Sequence, residues 1–566
     1  MSKNFKLIFI GIIFFCLPLF VSADQLGQEV NFFVNPSYDA LGRTQLTAVL
    51  ENVSPRLYFY IEKEYWQELD LTQRNKIKQS LSFLTEEFEE KIYPVLTSTF
   101  GSERSPGIDN DIHITVLLHL MNKEAGGYFN SADEYSSIQV SDSNQREMIY
   151  LNILHINTPL AKSFFAHEFM HLITFNQKEE KYGISEEIWL NEARSEYVPT
   201  LLGYNDVYEG SNLERRFRNF IDNPSDSITE WQDKISDYGA LTLFTHYLVD
   251  HYGVEILVDS LHSREVGISS INYALKKNGF KKNFSQIFTD WAIAVLVNDC
   301  EFNENYCYLN KNLKDFKVNP SLNFLPFAIG TTLTVQNSIK DWGASWYKFV
   351  GGREALKIEF KGVEGVLYKV PYLLYNLSGG YTVGTLELDQ NQRGEITFSD
   401  FSSKYASLVI IPLAQNKFFD FGSSDPEYPF SIIISTIKKE QTIKALLEKI
   451  AFLKQEIAKL EAQIQAILEK RAKKISCSFF ENNLWFGMRN KQVKCLQEFL
   501  KSQGEEIYPE GLVTGYFGPL TKAAVIRFQE KYNLEILVPY GLKNGTGFVG
   551  PRTRAQINKI LRSPTL

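Results

Sequence analysis

The run from Phe164 to Gln177 reads FFAHEFMHLITFNQ. His167 and His171 stand four apart and Glu168 directly follows the first, in text that is otherwise almost wholly apolar. The chain of 566 residues has only 8 histidines. On a helix, side chains four apart share one face, so both imidazoles can reach one metal ion. Neutral imidazole suits zinc, and one Zn2+ is the expected cofactor. Glu168 falls on the flank, where it can take a proton from a water molecule. Burying two imidazoles and a carboxylate without a metal would be costly.

A catalytic zinc site uses three protein ligands and keeps one position open. The third donor is expected from a second helix, and WLNEARSEY (189–197) reads as one. With His-Glu-x-x-His upstream and 20 residues between His171 and Glu192, the chain resembles the gluzincins, the thermolysin-like zinc metallopeptidases. Their second helix carries Asn-Glu-x-x-Ser-Asp. NEARSE (191–196) matches at Asn191, Glu192 and Ser195, with Glu196 in place of Asp. The resemblance implies Glu192 as third ligand, Glu196 as acceptor of the other ring N–H of His167, and Glu168 as general base. Gluzincins also use a downstream Tyr or His to stabilise the oxyanion. DYGALTLFTHYLVDHYG (237–253) offers Tyr238, His246 and His251, and Tyr238 is preferred because Tyr-Gly-Ala opening a helix looks similar to an element of related secreted peptidases. Over roughly residues 40–310 the chain resembles hyicolysin-like secreted metallopeptidases. The implied activity is zinc-dependent cleavage of a protein or peptide substrate.

The surrounding text must position these residues. RLYFYIE (56–62), DIHITVLLHL (111–120) and EMIYLNIL (147–154) read as strands, and 72–100 as helix. Thr158 and Pro159 read as the cap and first turn of the motif helix. Residues 184–297 are mostly helical in pattern, so 24–315 reads as an α+β zincin domain, with 24–55 either an N-terminal extension or part of the sheet. DNDIH (109–113) lacks the Gly and distant Glu of the recognised calcium loop. It reads as a plain turn, and a calcium ion is unsupported by the sequence. His113, His119 and His155 read as packed, and GGYF (126–129) as a turn.

Residues 316–436 show short alternating strands separated by Gly, Asn and Asp, expected to form an all-β sandwich. In 437–475, Ile443, Ile450, Ile457 and Ile464 repeat every seven, with Leu446, Leu453, Leu460 and Ile467 three later. That seam predicts a coiled-coil helix. A parallel pair would set Lys449 against Lys454 and Glu456 against Glu461. The expectation is therefore an antiparallel self-association or a single spacer helix.

In 476–566, Gly487, VKCLQEFL (493–500), TGYFGPLT (514–521), AAVIRFQ (523–529) and GFVGPRT (547–553) fall in the order of the peptidoglycan-binding domain of cell-wall enzymes. The resemblance implies a small three-helix module with peptidoglycan as partner. Thr514 replaces the usual Asp, and ILVPYGLKNGTG (536–547) reads as a loop. Tyr516 and Arg527 are candidate contacts.

Residues 1–23 carry Lys3 and Lys6, the apolar LIFIGIIFFCLPLF and a small-residue cleavage site, the pattern of a signal peptide. Without Cys16, four cysteines remain in two local pairs. Disulfides Cys300–Cys307 and Cys477–Cys495 are expected, the second worth roughly 3 kcal/mol by chain entropy. The net charge of −8 and the absence of a recognised motif argue against nucleic acid as partner. The combined expectation is a secreted, wall-associated zinc endopeptidase. The alternatives are a peptidoglycan peptidase or amidase, and a non-catalytic surface adhesin.

Overall fold

The computed structural model describes residues 23–232, 234–416, 427–472 and 479–562. The expected signal peptide therefore falls outside the described residues, save its last residue. The chain divides into two compact units, residues 1–442 and 443–566. No helix among the described residues is long and apolar enough to cross a membrane.

The first unit opens on a six-stranded sheet made of β1 (Glu29–Phe33), β2 (Gln45–Val53), β3 (Leu57–Glu62), β4 (Ile114–His119), β5 (Gly127–Phe129) and β6 (Met148–Asn152). The spatial order is β1-β2-β3-β4-β6-β5. The β3, β4 and β6 strands run parallel, and the rest pair antiparallel. Both parallel neighbours are apolar on each face, as strands covered on two sides must be. Residues 29–33 and 45–53 belong to this sheet. The GGYF segment, expected as a turn, forms the edge strand β5. Three residues are too short to show a period, so only pairing with β6 reveals it.

Between β3 and β4 run α1 (Lys63–Glu68), α2 (Leu71–Glu87) and α3 (Tyr93–Phe100). A helical lobe follows, with α4 (Ala161–Thr174), α5 (Ile188–Leu201), α6 (Asn212–Asp222), α7 (Ile235–Tyr252), α8 (Glu255–Leu261), α9 (Gly267–Lys277) and α10 (Phe284–Val297). The α4 helix starts later than the sequence predicts. Thr158 donates its hydroxyl to the His155 carbonyl at 2.8 Å and so closes a turn instead of capping the helix. The expected Cys300–Cys307 disulfide is present beyond α10. Cys477 lies outside the described residues, so the pairing expected with Cys495 is not described.

The described residues between 321 and 437 form two facing sheets of four and five strands, with a two-stranded ladder beside them, around Phe349, Leu356, Ile358, Leu408 and Ile432. The change of texture at 315/316 marks a change of secondary structure and not a gap in packing. Trp342 meets Phe284 and Phe288 edge-on at 4.9 and 5.4 Å. Trp346 donates its indole N–H to the Ala292 carbonyl at 2.8 Å. Lys340 pairs with Asp226 at 2.8 Å and with Glu230. One face of the sandwich thus packs into the core of the helical lobe, while its two sheets enclose a core of their own.

Lys439–Ala472 is a single helix. Its described seam residues, Ile450, Leu453, Ile457, Leu460 and Ile464, are between 48% and 56% exposed. The side chains of Ile443, Leu446 and Ile467 lie outside the described residues.

In the C-terminal unit, helices Lys491–Ser502, Pro519–Lys531 and Pro551–Arg562 surround Leu496, Phe517, Val525, Phe528 and Ile557. Part of the expected loop at 536–547 is ordered as one short turn ending at Ile536 and another at Val538–Tyr540. Two glutamines hold the turns. Gln497 accepts the N–H groups of Thr514 and Gly515 at 2.8 and 2.7 Å and donates to the Thr521 hydroxyl at 2.9 Å. Gln529 repeats this with Thr546, Gly547 and Thr553 at 2.8, 2.9 and 3.0 Å. The module is therefore an internal repeat of one helix-and-turn unit, a relation the sequence reading missed although both motifs are visible.

Candidate metal centre

The α4 and α5 helices lie side by side, and their facing turns bring the sequence-predicted donors together. His167 Nε2 and His171 Nε2 stand 3.1 Å apart. Glu192 Oε2 lies 3.3 Å from His167 Nε2, and its Oε1 lies 3.5 Å from His171 Nε2. The three donor atoms fall within 4.8 Å of one another. Two imidazole nitrogens and a carboxylate oxygen make the donor set of a catalytic zinc. Glu192 Oε2 is buried and, apart from the His167 imidazole at 3.3 Å, meets no hydrogen-bond partner, which a cation at this point would remedy. The residues fit the ion.

The outer nitrogens are also engaged. Glu196 Oε1 lies 3.5 Å from His167 Nδ1, and Ser195 Oγ lies 3.2 Å from His171 Nδ1. Glu196 is itself buried. It accepts from Asn212 Nδ2 at 2.8 Å and pairs with Arg216, both from α6. This buried ion pair replaces the shorter Asp arm of the resembled motif with a longer one braced from below. The α4–α5 connection is fixed by a second buried network, in which Glu186 meets Arg194 at 2.8 Å and Lys178 at 3.3 Å.

Charge at the centre follows from these neighbours. Burial disfavours imidazolium at His167, yet Glu192, Glu168 and Glu196 outweigh it and lift the group to about 9. Burial pushes the Glu168 carboxyl up to about 8. Burial would raise Glu196, but Arg216 chiefly holds it down at about 2. His167 thus supplies, in the ion-free protein, the positive charge that the carboxylates demand. A bound divalent cation inverts that demand and leaves imidazole neutral.

These groups floor a cleft of about 430 Å³ lined also by β5, Arg215 and Tyr238. Tyr238 packs edge-on against Trp231 at 4.7 Å, and the Arg216 guanidinium lies 3.9 Å from its ring. His246 and His251 do not join the cleft. His246 meets Thr200 Oγ1 at 2.7 Å and the Thr242 carbonyl at 2.8 Å, and His251 meets the Cys307 carbonyl at 2.9 Å. His113 stacks on Tyr58, and His155 packs on Phe164. Gly127 brings β5 against Glu168. A Cβ there would lie 2.5 Å from the Tyr150 carbonyl oxygen and 2.9 Å from Glu168 Cγ. The sequence reading missed Arg215, Arg216 and Asn212. The adjacent arginines in NLERRFRNFI were the available signal.

In the C-terminal unit, Tyr516 and Arg527 are half-buried. The Arg489 guanidinium lies 5.1 Å from the Tyr516 ring, and Arg527 donates to the Ile507 carbonyl at 3.3 Å.

The family described as "Putative peptidoglycan binding domain" matches residues 489–536. The hydrophobic core of this module runs further, from Phe480 to Ile557. The match supports peptidoglycan as a partner and association with the cell wall. No curated protein matches the chain. Among solved structures the chain is similar to the Yersinia pseudotuberculosis-derived mitogen, with 10% identity over 19% of this chain and 87% of that one and a TM-score of 0.15. It is similar to Aeromonas hydrophila PliG, a periplasmic lysozyme inhibitor of g-type lysozyme, with 11% identity over 20% and 95% and a TM-score of 0.15. It is also similar to the pre-peptidase C-terminal domain of collagenase from Bacillus anthracis, with 14% identity over 21% and 97% and a TM-score of 0.14. At these scores none carries an argument about this chain.

Proposed function

We propose that the chain is a secreted, wall-associated zinc-dependent endopeptidase. The observation that carries the reading is the convergence of His167, His171 and Glu192 within 4.8 Å, with Glu168 beside them in the same cleft. When bound there, zinc would polarise the scissile carbonyl and make an attacking water more acidic. Glu168 accepts the proton of that water and passes it to the leaving amine. Glu196 and Ser195 orient the two imidazoles, and Arg216 keeps Glu196 ionised. An extended substrate adds to the outer edge of β5, so backbone hydrogen bonds hold it over Glu168 whatever its side chains. Tyr238 is the proposed donor to the oxyanion.

The test is casein hydrolysis by the full chain before and after chelation. Loss on chelation, recovery with zinc, and a fall of about 10²–10⁴-fold in Glu168→Gln with zinc content unchanged are expected. Activity indifferent to chelation, or retained by Glu168→Gln, would falsify the reading. The peptidoglycan-binding match favours one second reading, in which the wall itself is cut. That reading prevails if purified sacculi are hydrolysed and casein is not.

A further inference from the structure

A second group of carboxylates lies outside the cleft. Glu134 ends the short turn Ser131–Glu134 that follows β5, and Glu147 immediately precedes β6. They are 1% and 2% exposed. Glu147 accepts the Ile108 N–H with both oxygens at 2.9 Å. Gly107 lies so close that a Cβ would fall 1.5 Å from Glu147 Oε2. Asp109 sits on the same turn and acts on Glu147.

Neither oxygen of Glu134 meets a hydrogen-bond donor. The group it faces is another carboxylate, that of Glu147. An ionised carboxylate buried in this way is costly unless it is paired or binds a metal. The nearby cations, Arg104 and Arg146, act on Glu134 and Asp109 through space without hydrogen-bonding them, and both pair elsewhere. Arg104 reaches Glu180 at 4.0 Å, and Arg146 pairs with Asp24 at 2.5 Å. Asp133 is also occupied, accepting from Tyr150 and Asn144 at 2.6 and 2.8 Å. Burial chiefly holds Glu134, Glu147 and Asp109 above the usual carboxylate range, with Glu147 adding to it at Glu134, Asp109 at Glu147 and Asp111 at Asp109.

We propose that the facing pair Glu134 and Glu147 forms a binding site for a hard divalent cation of the calcium class, with Asp109 adding negative charge from the neighbouring turn. All the side-chain donors are oxygens, which excludes a zinc-like preference. They stand on loops that can supply carbonyls at flexible geometry, as calcium accepts and magnesium resists. The ion ties the 107–111 turn to the segment between β5 and β6, and so holds the edge strand beside the metal centre. The proposal does not depend on the peptidase reading.

Metal-depleted full chain, reloaded with zinc, is titrated with CaCl2 by calorimetry, and its thermal unfolding is followed with and without CaCl2. One calcium site and a higher unfolding temperature are expected, with no equal effect of MgCl2 at matched ionic strength. Glu134→Gln should weaken calcium binding by about tenfold or more and remove the thermal shift. If that variant does not fold, Asp109→Asn is read in the same titration and should also weaken binding. The proposal is overturned if calcium neither binds nor stabilises, or if the folded variant binds as the wild type does. It is equally overturned if acidification stabilises the chain while calcium does not, the mark of a proton shared between the two glutamates.

Discussion

Glu196 shows how much of the candidate metal centre depends on charges with no solvent to help them. It is 1% exposed and is held ionised by Arg216. Removing one partner of such a pair costs more than the pair contributes, because the other charge stays buried. A comparable buried group with a clear pH signature is His119. It is fully buried, 3.3 Å from Asp39, and burial holds it at about 4 against an ordinary 6.5. The unfolded chain therefore takes up a proton between pH 6.5 and 4 that the folded chain refuses. Stability should fall as pH drops through that window. In His119→Gln the dependence should flatten, read as urea midpoints against pH. An unchanged slope would show that His119 does not contribute to it.

The β5 strand lies at the edge of its sheet, and the long helix exposes an apolar stripe. Gly127 allows β5 to lie against α4. In Gly127→Ala the new Cβ would meet the Tyr150 carbonyl oxygen at 2.5 Å, so strand or helix must shift. A fall in kcat of roughly 10²-fold is expected, with a stability loss of about 1–3 kcal/mol. Normal turnover in a folded Gly127→Ala chain would mean the strand edge does not seat substrate. The 439–472 helix leaves Ile457 and Leu460 more than half exposed. An apolar stripe of this length calls for a second helix. Sedimentation of the full chain should reveal concentration-dependent dimers that Ile457→Lys abolishes. A monomer at every concentration would leave the spacer role instead.

Two compact units make separable behaviour the expectation for the whole molecule. Deleting residues 476–566 should abolish co-sedimentation with purified sacculi and leave kcat/KM on soluble casein unchanged. Loss of both would show that the C-terminal unit also supports catalysis. The sandwich is a different case. Trp342 and Trp346 sink into the helical lobe, and Lys340 pairs there with Asp226 and Glu230. Its removal would expose that core, so it belongs to the structural integrity of the first unit.

The two-histidine motif was legible because helical geometry is local, and a spacing of four residues already fixes a shared face. Glu192 and Glu196 were legible through the resemblance of their motif, and the heptad seam through its own period. The C-terminal module carried enough fixed turn residues to be recognised in order. Other features arise from chain packing that no local pattern encodes. Arg216 reaches Glu196 only because α6, packed along α7, carries it to the buried face of α5. The β5 strand exists only through its pairing with β6. Glu134 and Glu147 meet from opposite ends of a polar loop, and their shared burial is what turns two ordinary glutamates into a candidate cation site. Side-chain spacing along one helix is a property of the chain, whereas which distant charges end up facing each other without water is a property of the fold.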